Sequence, residues 1–256
     1  MIKEASYETS EPTVDSQIVT LQGSGADVFL IAATAKFAAQ AIRKVFDLGW
    51  SPVRYMSYVS AKPAGLEKSK GVISALWSKD PTDARWKEDP GMKQWQAFCA
   101  KYLTPTDFID PYSGAGFTYA AALVPVLEQC GADLSRENIM KQAANLKDLE
   151  LPLLLPGMKL NTSPTNYSPI RQMQLATFDG ESWKLFGDLL EVDDATPSPA
   201  LAGEGKSPPF AAASQRAQPQ RVELDEARRV VLVVGDRAFL EGGLSYFIYL
   251  STSVNI

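Results

Sequence analysis

Residues 13 to 50 constrain the fold more than any other stretch, because they read as helix, buried strand and second helix in immediate succession. That is one α/β winding unit. The first helix sets Val14, Ile18 and Leu21 on one face, and Gly23 and Gly25 supply the backbone freedom that ends a helix in a left-handed residue. Val28 to Ala33 is a continuous apolar run, as a parallel strand covered on both faces requires. Its carboxyl end opens at Ala33, Thr34, Ala35 and Lys36, where a new helix begins. Small molecules bind α/β sheets at this edge, where strands end and helix N-termini offer unpaired N–H groups.

The rest of the chain narrows the chemistry. Its 256 residues and 45% hydrophobic content support at least one real core. A net charge of −5 with no basic stripe removes the electrostatic footprint of nucleic-acid binding and of an anionic membrane surface. Histidine is absent, which removes Ser-His and Cys-His nucleophile pairs and His-ligated zinc. Cys99 and Cys130, in apparently helical stretches without a CxxC, read as two buried small hydrophobes, with a disulfide as the minority alternative. No apolar run is long enough to span a bilayer, and the N-terminus lacks the apolar segment of a signal peptide. No convergent acid, base and nucleophile supports catalysis, and no metal or cofactor site is implied.

Along the chain, Ile2 to Tyr7 suits a first strand, with Thr13 or Asp15 as cap of the helix near Ser16. A helix from Lys36 to Leu48 ends at Gly49, and Val53 to Ser60 is expected as a strand. A short turn of helix near Glu67 and a strand from Val72 to Ser78 complete the order βαβαβ(α)β, a doubly wound, mostly parallel sheet with helices on both sides. From Pro90 the pattern turns helical. Met92, Trp95, Phe98, Cys99 and Tyr102 share one face, a longer apolar helix holds Pro125 and ends at Gly131, and a third helix starts after Ser135. A proline-rich extended segment leads to two alternating strands around Asp179-Gly180, a hairpin. Residues 191 to 219 lose all periodicity, and the segment from Arg221 could make a strand or two unrelated to the α/β material. Ala200 to Ser207 fits a relaxed phosphate-loop pattern, but Pro208-Pro209 forbids the helix that its mechanism needs.

In sequence, a strand ending in Tyr7, the Asp15-Ser16-Gln17 helix, Ser24-Gly25-Ala26-Asp27 before a strand, a lone strand followed by an acidic loop, and the Phe178-Asp179-Gly180-Glu181-Ser182-Trp183 hairpin form an ordered series. The series resembles the solute-binding proteins of branched-chain amino acid ABC importers, the type I periplasmic binding fold, over about residues 1 to 188. The resemblance implies two α/β lobes that close on a ligand. It assigns 1–108 to a second-lobe domain, 109–188 to a first-lobe remnant with hinge crossings and the terminal hairpin, and 189–256 to an unrelated, largely disordered linker and tail. It implies a non-enzymatic, periplasmic protein that delivers an amino acid or similar small polar solute to an ABC permease. This chain presents one wall of the cleft, with impaired binding. A cytoplasmic ligand-sensing module of the same fold is the alternative.

The resemblance places ligand-binding positions at Thr34 and Glu67, and the strand-end reading adds Lys36, Phe37 and Tyr58, with Trp77 as a further apolar wall. Thr34 can donate and accept from a strand end, and Glu67 could pair with an ammonium group. Each has a plainer rival. A threonine after a strand commonly caps the following helix, Glu67 lies among lysines as a solvated charge, and aromatic residues at strand ends commonly pack in the core. Tyr112 and Phe117 are expected to be exposed where the other lobe would pack.

Overall fold

The computed structural model describes residues 1–61, 67–108, 111–191 and 230–234, with the backbone alone at 67, 106–107, 111–112 and 230–234. The phosphate-loop-like stretch from Ala200 to Ser207 and the Tyr112 side chain lie outside the described residues. Two compact units result. The described parts of one are Met1–Leu76, Gln174–Leu190 and strand Val230–Val234; the other spans Trp77–Met173. The boundary between them falls after Leu76.

The first unit is an α/β layer. Its strands are β1 (Lys3–Ser6), β2 (Val28–Ala32), β3 (Val53–Met56), β4 (Ile73–Leu76), β5 (Gln172–Phe178), β6 (Trp183–Glu191) and β7 (Val230–Val234), in the spatial order β1-β7-β2-β3-β4-β5-β6. From β1 to β4 every neighbouring pair is parallel, and β5 joins β4 antiparallel, with Ile73 opposite Thr177 and Leu76 opposite Gln174. The sheet is therefore mixed. The hairpin was legible as a hairpin, but not as the extension of the parallel sheet. Only the first half of the expected strand from Val53 to Ser60 is extended; Tyr58–Ser60 forms a 3-10 turn.

The larger correction concerns the carboxyl-terminal region. The stretch after Arg221 reads in sequence as unrelated to the α/β material, yet its described strand β7 lies inside the sheet, between β1 and β2. A run of four valines and one leucine is the composition of a parallel strand, so the strand itself was within reach of the sequence. Its partners were not, because strand pairing is set by tertiary contacts that periodicity does not encode.

Helices α1 (Asp15–Gln22) and α2 (Ala35–Asp47) follow β1 and β2 and pack on each other. Both crossovers advance in the same direction through the sheet, so right-handed connections place both helices on one face. Within this unit, among the described residues, the winding is thus on one side, where helices on both sides were expected. Neither expected cap of α1 acts as one: Val14 stands at the cap position, and Thr13 Oγ1 instead donates to the Asp15 carboxylate and accepts the Asp15 N–H. α2 buries Phe37, Ala38, Ala41, Ile42 and Val45 on one stripe. Gly49, at φ +62°, ends it: its N–H bonds to the Phe46 carbonyl and that of Trp50 to the Val45 carbonyl, the two closures of a Schellman turn. The Trp50 indole then donates to the Ala26 carbonyl at 3.1 Å and packs on Phe29, which ties the end of α2 to the start of β2.

In the hairpin turn, the amides of Ser182 and Glu181 hold the Asp179 carboxyl at about 2, well below its usual value, with Lys184 adding to the effect. No helix among the described residues is long and apolar enough to cross a membrane.

The second unit holds α3 (Pro90–Tyr102), α4 (Pro105–Phe108), α5 (Pro111–Cys130) and α6 (Arg136–Ala143). Asp89 caps α3 by accepting the Met92 N–H, and Pro90 supplies a preset first turn. The core joins Met92, Trp95, Cys99 and Leu153, with Trp86, Phe98, Phe108 and Phe117 packed around it. Phe117, expected to be exposed, is half-buried and tilts against Trp95 at 5.2 Å. α5 runs through Pro125 to Cys130, and Cys99 and Cys130 are buried free thiols. The buried Lys79 ammonium donates to the Asp89 carboxylate at 2.8 Å and to the Pro152 carbonyl at 2.9 Å. Burial works to raise the Asp89 carboxyl, but the Lys79 ammonium and the Met92 and Gly91 amides outweigh it and hold the group below the usual range.

Gly91 is required by this approach, because a Cβ there would overlap the backbone of Pro152. Helix propensity alone would favour alanine by about 1 kcal/mol, whereas overpacking against backbone costs about 1–3 kcal/mol or more. With the added Cβ only 2.0 Å from the Pro152 carbonyl oxygen the cost lies at the upper end or beyond, so Gly91→Ala is expected to destabilise the chain by about 2 kcal/mol or more in urea unfolding. An unchanged or raised midpoint would contradict the close approach.

Candidate functional site

The parallel strands deliver their carboxyl ends to one edge: Tyr7 after β1, Ala33 and Thr34 after β2, and Ser57 to Ser60 after β3. Most backbone groups there are already used. Ser60 Oγ, buried, donates to the Ala33 carbonyl and accepts the Ala33 N–H, and lies 2.8 Å from Ser57 Oγ. The Ser57 N–H donates to the Ile31 carbonyl at 2.9 Å. The Tyr7 hydroxyl accepts the Thr34 N–H at 3.0 Å, and the Tyr7 ring packs on Phe37 with centroids 4.3 Å apart. Two serines and a tyrosine thus lock the end of β2 in place.

What this edge leaves for chemistry is small. Thr34 occupies the N-cap position of α2 with extended φ and ψ, but its side chain makes no capping hydrogen bond. The plainer reading of this residue holds for its position and not for its hydroxyl. Thr34 is half-buried, and Lys36, two residues on, is exposed with its ammonium 5.0 Å from the Phe37 ring centroid. The edge thus carries a hydroxyl that makes no capping bond and, two residues on in the chain, an exposed cation, groups suited to a small polar or anionic ligand. Phe37 is only 3% exposed and belongs to the core beneath the edge. Tyr58 is half-buried at the turn after β3. Trp77, also considered as an apolar wall, is buried and lies in the second unit.

Glu67 is not brought to this group. Its backbone lies in the turn Glu67–Ser69, where the Lys68 ammonium pairs with Asp47 at 2.8 Å, at the last residue of α2. Thr34 precedes the first. Thirteen helical residues span about 20 Å, so the turn and Thr34 sit at opposite ends of α2. The Glu67 side chain is outside the described residues.

A concavity of about 610 Å³ opens at that other end, lined by Phe46, Trp50, Arg54, Lys68 and Lys70 among others. The Arg54 guanidinium donates to the Lys68 and Lys70 carbonyls at 2.8 and 2.6 Å, so it fastens the turn that precedes β4. Burial lowers its pKa. Among the described residues, no group of acids or cysteines is arranged to hold a metal ion.

Tyr7, Ser57 and Ser60 escaped the sequence reading as site residues. A strand ending in tyrosine was visible, but its use as an acceptor for the N–H of Thr34, across the space between two strands, depends on the sheet order. Replacing Tyr7 by Phe keeps the ring and removes the acceptor. Tyr7→Phe should destabilise by about 1–2 kcal/mol and raise Thr34 amide exchange about tenfold or more. Unchanged Thr34 exchange would contradict the bond.

The family model described as periplasmic binding protein matches residues 1–182. No curated protein matches the chain. Among solved structures, a branched-chain amino acid ABC transporter protein from Thermus thermophilus with bound valine is similar, with a TM-score of 0.57 and 12% identity over 70% of this chain and 50% of its own. A leucine-binding protein from Thermotoga maritima gives a TM-score of 0.55 and 14% identity over 73% of this chain and 51% of its own. A substrate-binding periplasmic protein from Ralstonia solanacearum gives a TM-score of 0.55 and 17% identity over 70% and 51%. At these identities the likeness is one of fold, and the chain spans about half the length of these structures. The matched family is one of non-enzymatic, substrate-binding proteins, and by the match over residues 1–182 the chain belongs to the periplasmic binding protein family.

Proposed function

We propose that this chain is a solute-binding component of an ABC importer for branched-chain or other amino acids, acting in the periplasm, and that it forms one wall of the binding cleft. The observation that carries the proposal is that an uncapped Thr34 and, two residues on, an exposed Lys36 follow β2 at the carboxyl edge of the parallel strands. That edge is where α/β sheets take small ligands. The valine bound by the similar Thermus protein suggests the class of solute. Lys36 would meet the carboxylate of an amino acid, Thr34 would accept from its ammonium group or donate to its carboxylate, and Tyr58 would border the side chain.

A ligand site ordinarily buries most of its ligand's surface, and a single edge cannot do so. By itself this edge offers too little enclosure for tight binding, since hinge closure needs an opposing lobe. Its affinity should therefore lie near the millimolar range, about 4 kcal/mol of binding free energy. Titration of valine into isotope-labelled protein is expected to shift the amides of Ala35 to Phe37 and of Tyr58, with half-saturation at roughly millimolar concentration. Thr34→Val should weaken the effect several-fold. Shifts confined to Phe46, Trp50 and Arg54, or no shifts at all, would contradict this site, and micromolar affinity would contradict the one-wall account.

A further inference from the structure

We propose that the gap between β1 and β2 is a binding slot for one parallel β-strand, and that Val230–Val234 of the same chain is its exchangeable occupant. β1 and β2 follow each other in sequence, joined by α1, yet they do not pair. Each pairs instead with β7: Lys3 to Ser6 align with Val231 to Val234, and Val28 to Ala32 align with Val230 to Val234. Among the described residues, β1 has no other strand partner.

The three strands differ in a way that suits a host and a guest. β2 is buried along its whole length, and β1, with the sequence Lys-Glu-Ala-Ser, is mostly exposed. The guest is wholly apolar and β-branched but for Leu232, as a strand flanked on both edges requires. Its backbone meets donors and acceptors on both sides, the arrangement by which a peptide adds to a sheet. The occupant comes from the far end of the chain, after residues 192–229, so no short loop fixes it to either neighbour. Its hold depends on the pairing itself and on the effective concentration that the covalent tether confers.

Occupancy reaches the candidate site through β1. That strand ends at Tyr7, whose hydroxyl accepts the Thr34 N–H and whose ring covers Phe37. With the slot empty, β1 loses its partner and Tyr7 its support, so Thr34 is released from the lock on that side. Tyr7 is a positioning residue in this arrangement, and β7 acts through it. The inference rests on the sheet order alone and stands whether or not the edge binds amino acids.

The test uses the full chain with a specific protease site inserted after Gly203, cut once after folding. The cut chain is expected to keep its carboxyl-terminal fragment through size exclusion and to retain slow exchange at the Thr34 amide. A synthetic peptide covering Arg228 to Asp236 should displace the fragment, and the same peptide with Leu232→Pro should not. Should the fragment separate on cutting, the proposal requires that Thr34 exchange rise at least tenfold and that excess peptide restore its protection. In the uncut chain, Leu232→Pro should speed Thr34 exchange by a similar factor while the amides of β4 change little; should that variant fail to fold, the cut-chain exchange still decides. Separation with Thr34 protection intact, or equal competition by both peptides, would overturn the slot. A dimer with the fragment crosslinked to the other copy would overturn the assignment of the occupant to the same chain.

Discussion

The first unit depends on the backbone hydrogen bonding of one strand. Val28–Ala32 is buried throughout and is paired on both edges, with β3 on one side and β7 on the other. A strand in that position has no water to satisfy its amides, so each unpaired N–H or C=O costs about 1–3 kcal/mol. β3 and β7 together satisfy these groups. The same strand sets the carboxyl edge: Ala33 is clamped by Ser60, and Thr34 is held by Tyr7. Fixing β2 fixes the place where a ligand could be met.

Much of this was legible from residue patterns. The apolar run at Val28, the stripe from Phe37 to Val45 and the Gly49 stop describe β2 and α2 almost to the residue, because burial on two faces and on one face leave different periods. The hairpin at Asp179-Gly180 was visible for the same reason. Three things were not. Extended structure was expected through Ser60, yet the chain turns at Ser57, whose N–H donates to Ile31 of β2 and whose hydroxyl meets that of Ser60. β7 reads as a detached strand, since nothing local to Val230–Val234 names β1 and β2 as its neighbours. Glu67 was linked to Thr34 through resemblance, and the length of α2 puts its backbone at the opposite end. In each case the missing information is a distance between segments, which a one-dimensional pattern does not hold.

The uncommitted groups of the edge follow from how the rest are used. The Ser60 and Tyr7 hydroxyls bond to the backbone at the end of β2 and the Ser57 hydroxyl meets that of Ser60, whereas Thr34 makes no side-chain cap and Lys36 is exposed. The second unit is organised around a different constraint, the buried Lys79 held by Asp89 and the Pro152 carbonyl, with Gly91 permitting the approach. Removing Asp89 would leave the buried Lys79 ammonium without its counter-charge, and the two bonds of that ammonium tie the segment near Pro152 to the start of α3. Tyr119, Leu123 and Val124 leave apolar surface exposed along α5.

The central claim is that β7 separates β1 from β2, and cross-strand contacts measured by nuclear Overhauser effects in labelled protein test it most directly. The account predicts contacts from the backbone of Leu232 to that of both Glu4 and Leu30, and none between the backbones of Glu4 and Leu30. Direct contacts between the backbones of β1 and β2, with none to Val230–Val234, would contradict it.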